Sequence, residues 1–399
     1  MIIDEKRQTI ERYIEEHRTK SQEPFCAYLY DLEDLRRHAS SIKKSLPDFV
    51  DLYYAVKANP EQPILETLEP IVDGFEVASA GEMNKVSSLT VKPMMFGGPA
   101  KKDSELEEAI RSGVKTINVE SFHELNRLAA LAEKHHTKIP VLARVNLTAN
   151  VSDSHLRMSG VPTQFGVDEQ EIPDFIKKVN TMDSIDLRGF HFHAMSNNLD
   201  AEAHLRFVEA CLDKSLAWAE RYRLDAPIVN IGGGIGINYW HPDDPFDWQV
   251  LAKGLHDLES KTNGRHIFME IGRYMTASCG VYAAEVLDVK QNHDQSFAVL
   301  RGGSHHLRLP AAWKMSHPFR VFPVEDWPYP FERPEVRNRE VTIAGELCTP
   351  NDVLVRQEPV TRLRAGDVVL FEYAGAYAWT ISHHDFLSHP HPEIVYING

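Results

Sequence analysis

Cysteine is scarce in this chain: four residues among 399, Cys26, Cys211, Cys279 and Cys348, scattered and with no CxxC pair. A disulfide framework is therefore not expected, and a reducing compartment fits. Long apolar runs are missing as well: nothing approaches the roughly 20 residues that a spanning helix requires. The first twenty residues, MIIDEKRQTIERYIEEHRTK, contain no apolar stretch of the signal-peptide kind, so a cytoplasmic protein is expected. Basic residues are in the minority, 43 against 58 acidic ones, for a net charge of −15. That balance argues against non-specific nucleic-acid binding, although a local basic pocket can still receive an anionic substrate. There is no HExxH motif, no low-complexity tract and no repeat beyond an alternation of short apolar runs with helical patterns.

What is present is an ordinary globular composition, 43% hydrophobic and 25% charged, in a chain long enough for two domains. Eight short runs rich in β-branched or aromatic residues recur between Leu52 and Gly272. They are LYYAVKA, GFEVAS, PMMFGG, TINVES, IPVLARVN, RGFHFHA, IVNIGGG and IFMEIG, each flanked by Gly, Pro, Asn or Ser. Between them lie segments with helical periodicity, such as SELEEAIRSG, with Gly113 as its C-cap, and SFHELNRLAALAEKHH. Eight strands alternating with helices predict a (β/α)8 TIM barrel, with a doubly wound open sheet as the alternative. LEDLRRHASSIKKSL, from Leu32 to Leu46, reads as a helix leading into the barrel. Beyond Gly280, VYAAEVLDVK, QSFAVLRGG, EVTIAGELC, NDVLVRQE and DVVLFEYAGAY read as strands with few helices between, hence a mostly β C-terminal domain.

Catalytic groups in such barrels sit at the C-terminal ends of strands, and the unusual polar residues fall there. Lys57 ends the first run among Tyr54, Ala55, Val56 and Ala58. Desolvation in that company favours a neutral, nucleophilic amine, and a lysine snorkelling from a strand end is the other reading. The seventh run enters GGGIG, from Gly232 to Gly236, where backbone N–H groups can close around an anion, or simply make a tight turn. Glu270 ends the eighth run, followed by Gly272 and Arg273. A carboxylate inside a barrel is costly unless paired, here either with a protonated pyridine nitrogen or with Arg273. His191 and His193 lie two apart on the sixth strand and share a face. They could bind metal, but no HExxH or Asp-rich triad supports this. One could instead stack on an aromatic cofactor, the other being a core histidine. Cys348, followed by Thr349, Pro350, Asn351 and Asp352, looks like a loop thiol, a candidate acid, rather than a buried one.

In order and spacing, from FCAYLYDLEDL to the GAY motif around Tyr377, these segments resemble the fold-type III pyridoxal-phosphate decarboxylases that act on diaminopimelate, ornithine and arginine. The resemblance implies an alanine racemase-like barrel over 31–281 that binds pyridoxal 5'-phosphate, with a β-barrel-like domain over 1–30 and 282–399. It implies that Lys57 is the Schiff-base lysine, that His193 stacks on the pyridine ring and that Glu270 pairs with the ring nitrogen. Ser196, Gly233, Gly234, Arg273 and Tyr377 would serve the phosphate. Cys348 would protonate the carbanion from the partner subunit of an obligate homodimer, with active sites at the interface. No metal and no membrane or nucleic-acid partner is implied.

Where that family commonly has EPGR, HxGS and KFG, this chain has EIGR, HAMS and QFG, with Met195 and Gln164 at the altered positions. Thr349 stands where an acidic residue often holds a distal amine. GFHFHAMSNNLD, NIGGGIGINY, RGGSHHLRLP, GELCTPNDV and YAGAYAWTISHHDFLSHPHPE resemble the branch devoted to siderophore assembly, the staphyloferrin B decarboxylases. That resemblance implies a small amino-acid substrate carrying a citryl group, citryl-L-2,3-diaminopropionate, decarboxylated to citryl-diaminoethane. Arg308 would clamp a citryl carboxylate, and Thr349, His305, His306, His383 and His384 would line the same pocket. The histidines also read as solvated or structural, and a metal site in SHHDFLSHPHP is not expected. Two other functions stay open: a decarboxylase of a free amino acid such as diaminopimelate or ornithine, and a non-catalytic cofactor-binding regulator. The presence of both Lys57 and Cys348 speaks against the latter.

Overall fold

The computed structural model describes residues 4–21, 23–148, 156–157, 162–225 and 227–397. Its contacts divide it into two compact units: one of 36–237 and 246–275, the other of 1–35, 238–245 and 276–399. The brief return of 238–245 to the second unit left no mark in the hydrophobic pattern.

After strand β1 (Cys26–Asp31), the first unit contains the eight expected parallel strands. They are β2 (Val50–Ala55), β3 (Gly74–Val77), β4 (Met94–Phe96), β5 (Thr116–Val119), β6 (Ile139–Asn146), β7 (Ile185–His191), β8 (Ile228–Asn230) and β9 (Ile267–Ile271). The spatial order is β5-β4-β3-β2-β9-β8-β7-β6, and pairing of β5 with β6 through Ile117 and Val141 closes the ring. The closed barrel replaces the open-sheet alternative. Side chains alternate along each strand, so Phe268, packed with Tyr53 and Met95 in the interior, puts Glu270 on the same inward face nearer the C-terminal end.

The connecting helices start where side chains can take up their unpaired N–H groups. Ser79, Ser121 and Asp200 each accept from the backbone three residues on. Gly113, left-handed at φ 63°, ends the helix Asp103–Ser112 as the sequence suggests. The longest helix, Ala201–Tyr222, buries His204 completely, its ring edge-on to Phe207 and Phe246.

The second unit continues with strands β10 (Gly280–Asn292), β11 (Gln295–Leu300), β12 (Phe319–Phe322), β13 (Glu335–Ala344), β14 (Val353–Arg364), β15 (Val368–Phe371) and β16 (Glu393–Ile397). Their order is β12-β15-β10-β11-β13-β14, with β1 joining β10 and β16. The polar N-terminal stretch forms a helix, Asp4–Lys20. Its Ile10 and Ile14 complete a core with Phe25, Leu29, Val281, Val368 and Leu370. The sparse apolar residues of that stretch therefore carry its attachment. No helix among the described residues is long and apolar enough to cross a membrane.

Two buried histidines give the fold an acid limit. Burial pushes His204 in the first unit and His317 in the second down to about 4. Below the unfolded value of about 6.5 the unfolded chain takes up protons that the folded chain refuses, so stability falls as pH drops from 6.5 towards 4. Replacement of His204 by Phe is expected to recover up to about 3 kcal/mol of that loss. Urea unfolding at pH 7.5 and pH 5 measures it, and an unchanged acid limb in the variant would refute the assignment.

Candidate active site

Lys57 lies just past its strand, in the single turn Val56–Ala58, rather than within it. Its Nζ meets Glu76 Oε2 at 2.6 Å, and Glu76, on β3, is buried. The amine is thus drawn into the barrel mouth by a carboxylate 19 residues away. Sequence alone does not single out Glu76. Its only signal was an acidic residue inside the apolar run GFEVAS, a costly placement without a partner.

Glu270 is almost completely enclosed. Asn230 Nδ2 donates to its Oε1 at 2.8 Å, while Oε2 faces His191 Nε2 at 3.4 Å and His193 Nδ1 at 4.0 Å. Burial by itself raises a carboxyl pKa. Here the His191 ring, then Lys57 and His193, outweigh it and hold Glu270 well below the usual carboxylate range. His193 moves the other way: burial and the charge of Lys57 push it well below the usual imidazole range. The site therefore pairs an ionised acid with a neutral imidazole. His193 sits two residues beyond the end of β7, not on the strand with His191, yet both rings still reach Glu270.

The glycine loop packs tightly against these groups. At Gly232, φ is +65° and a Cβ would lie 2.5 Å from His193 Nδ1. A Cβ on Gly234 would lie 2.5 Å from Met195 O, so the methionine of HAMS packs directly on the loop. The Gly233 N–H donates to His193 Nδ1 at 3.2 Å, so this expected phosphate donor is directed at the imidazole here. Ser196 is half-buried in the two-residue strand Met195–Ser196, and Arg273, buried, opens the short helix Arg273–Thr276. Arg144 and Glu120 form a second buried pair at 2.7 Å, and the Arg144 charge reaches His193. Neither Arg144, in the run IPVLARVN, nor Glu120, in TINVES, was singled out by the sequence.

The remaining candidates belong to the β unit. Cys348 is exposed, in the loop between β13 and β14, as a loop thiol should be, and Thr349 beside it is half-buried. Asp352 braces the loop, accepting from Leu347 N–H at 2.9 Å and Ser304 N–H at 2.6 Å. Arg308 is exposed, and its charge and that of Asp352 are both felt by exposed His383. His305 and His306 are wholly enclosed, with ring centroids 4.0 Å apart, so neither ring reaches the surface that Arg308 occupies. His384 packs on Trp379 at 4.1 Å, and Tyr377 is half-buried with φ of 49°, a strained value for a bulky residue.

An enclosed anion, a neutral flat ring, an amine at the barrel mouth and a glycine loop fit a planar cationic heterocycle bearing an aldehyde and a phosphate. His191, His193 and Glu270 also bring possible metal ligands within 4.8 Å of one another. The charges of Lys57 and Arg144 act on that trio and oppose a dication there. The class is settled by comparison. Residues 32–277 match the family model described as pyridoxal-dependent decarboxylase, pyridoxal binding domain, and the chain belongs to that family. It is a pyridoxal-phosphate-dependent decarboxylase.

Among curated relatives it is 44% identical over 393 residues to the 2-[(L-alanin-3-ylcarbamoyl)methyl]-2-hydroxybutanedioate decarboxylase of Staphylococcus aureus, spanning 97% of this chain and 98% of that one. It is 30% identical to the L-glutamyl-[BtrI acyl-carrier protein] decarboxylase of Niallia circulans, spanning 93% and 89%. The fold matches crystalline diaminopimelate decarboxylase from Helicobacter pylori, with a TM-score of 0.84, 23% identity, and coverage of 96% of this chain and 94% of that one.

If the glycine loop is packed as tightly as these contacts require, Gly232→Ala will not retain cofactor. The check is visible absorbance per subunit of purified protein, and a wild-type value would contradict the packing.

Proposed function

We propose that this decarboxylase acts on 2-[(L-alanin-3-ylcarbamoyl)methyl]-2-hydroxybutanedioate, that is citryl-diaminopropionate, releasing carbon dioxide and citryl-diaminoethane in siderophore assembly. The relationship at 44% identity along both full lengths carries this reading. The β unit supports it. Exposed Arg308 beside His383 offers cationic and hydrogen-bonding character to the citryl carboxylates, and Thr349 adds no repelling charge.

Bound pyridoxal phosphate supplies an aldehyde for the substrate amine and an electron sink for the pair left by departing carbon dioxide. The chain's residues do the rest. Lys57 would hold the cofactor through its Nζ, with Glu76 steering the amine at the barrel mouth. Anionic Glu270 keeps a proton on the ring nitrogen, and neutral His193 offers a flat face without competing for that charge. Gly233, Gly234, Ser196, Arg273 and Tyr377 would hold the phosphate. Cys348 returns a proton to Cα. His305 and His306, being enclosed, support the substrate surface from behind, while His383 and His384 face it.

We further infer a homodimer whose interface completes each site, because an acid on an exposed loop needs a covered setting to act in. The four free cysteines support a reducing, cytoplasmic setting.

Lys57→Ala is expected to abolish both the visible band and turnover. Cys348→Ala should keep the band and lose about 10²-fold or more in kcat. Equal loss of cofactor and activity in the cysteine variant would assign it a structural role. Carbon dioxide release from citryl-diaminopropionate, measured beside ornithine and diaminopimelate, tests the substrate. Arg308→Ala should raise KM for the citryl compound alone, and preference for a free diamino acid would refute the proposal.

A further inference from the structure

We propose that Asn230 and His191 are positioning residues that hold Glu270 for the pyridine nitrogen, and that Asn230 ties this acid to the glycine loop. The inference rests on the reading that Glu270 meets the cofactor ring.

Asn230, at the end of β8, has no solvent exposure. Gly232 N–H donates to its Oδ1 at 2.8 Å, and its Nδ2 donates to Glu270 Oε1 at 2.8 Å. The second Nδ2 hydrogen is available to Met95 Sδ at 3.5 Å. Only one orientation of the amide serves both neighbours, since a flipped amide would set oxygen against carboxylate and NH2 against N–H. The backbone repeats the tie: Glu270 N–H donates to Gly232 O at 2.8 Å. In register, Asn230 stands opposite His191 on β7 and Phe268 on β9, between the strands that carry His191 and Glu270.

The other oxygen of Glu270 faces His191 Nε2, a ring that is enclosed and otherwise without a hydrogen-bond partner among the described residues. His191 thus serves the carboxylate oxygen that Asn230 does not. The loop in turn reaches His193 through Gly233 N–H at 3.2 Å. The acid for the ring nitrogen, the imidazole for the ring face and the loop for the phosphate therefore converge on one neutral amide. Neutrality matters. An amide donates to a carboxylate without competing for its charge, whereas a second carboxylate at this spacing would have to share a proton with it.

The test uses holoenzyme reconstituted with pyridoxal phosphate. Asn230→Asp keeps the size of the side chain and the acceptor for Gly232 N–H but removes the donor to Glu270. It is expected to bind cofactor within about threefold of wild type, with kcat lowered about tenfold or more and KM little changed. Its visible band should also acquire a pH dependence that the wild type lacks. Asn230→Ala removes both bonds, so its cofactor dissociation constant should in addition rise about tenfold. His191→Phe should lower kcat while leaving cofactor affinity intact. Should Asn230→Ala fail to fold, the isosteric aspartate variant, with the circular dichroism of the wild type, decides alone. A normal wild-type band together with unaltered kcat and spectrum in Asn230→Asp overturns this inference by itself. A wild type without any visible band would overturn the ring-pocket reading and this inference with it.

Discussion

An ionised carboxylate enclosed in a barrel is the constraint around which the first unit is arranged. Leaving an ion unpaired in such a place costs several kcal/mol even after relaxation. Here the debt is shared: Asn230 gives a hydrogen bond, His191 a second contact and Lys57 a nearby positive charge. Each comes from a different strand or strand end, so the acid is stabilised only when the barrel is closed. The neutral state of His193 follows from the same crowding, because burial and Lys57 both disfavour a further proton on it.

That arrangement explains how one pocket can serve a cofactor with three dissimilar edges. A cationic nitrogen needs an anion, a ring face needs an uncharged plane, and a phosphate needs donors. On the proposed reading, the barrel provides the first two at the C-terminal side of its strands and the third from a loop whose glycines permit close backbone approach. The β unit solves a different problem. Its Cys348 loop is exposed yet braced by buried Asp352, and Arg308 stands on a surface shared with His383. The thiol is thereby offered on a loop whose backbone is fixed by a buried carboxylate.

Much of this was legible in the sequence. The eight apolar runs predicted the barrel, because parallel strands buried on both faces need nearly continuous apolar residues. Lys57, His193 and Glu270 stood out as polar residues in apolar company, and Gly113 marked its helix end. Other features gave weak signals or none. Ile10 and Ile14 are two isolated apolar residues in a charged stretch, and only the sheet they cover reveals their purpose. The resemblance implied that His305 and His306 line a substrate pocket, yet both are enclosed.

By itself the sequence determined the order and type of the elements and the chemical groups at their ends, because hydrophobic periodicity and glycine positions act over a few residues. Only the tertiary structure decided which groups meet. Glu76 reaches Lys57 across 19 residues, and Asn230 reaches Glu270 across 40. Such pairings depend on strand register and on closure of β5 against β6, and a one-residue slip in register would turn each of these side chains to the other face of its strand.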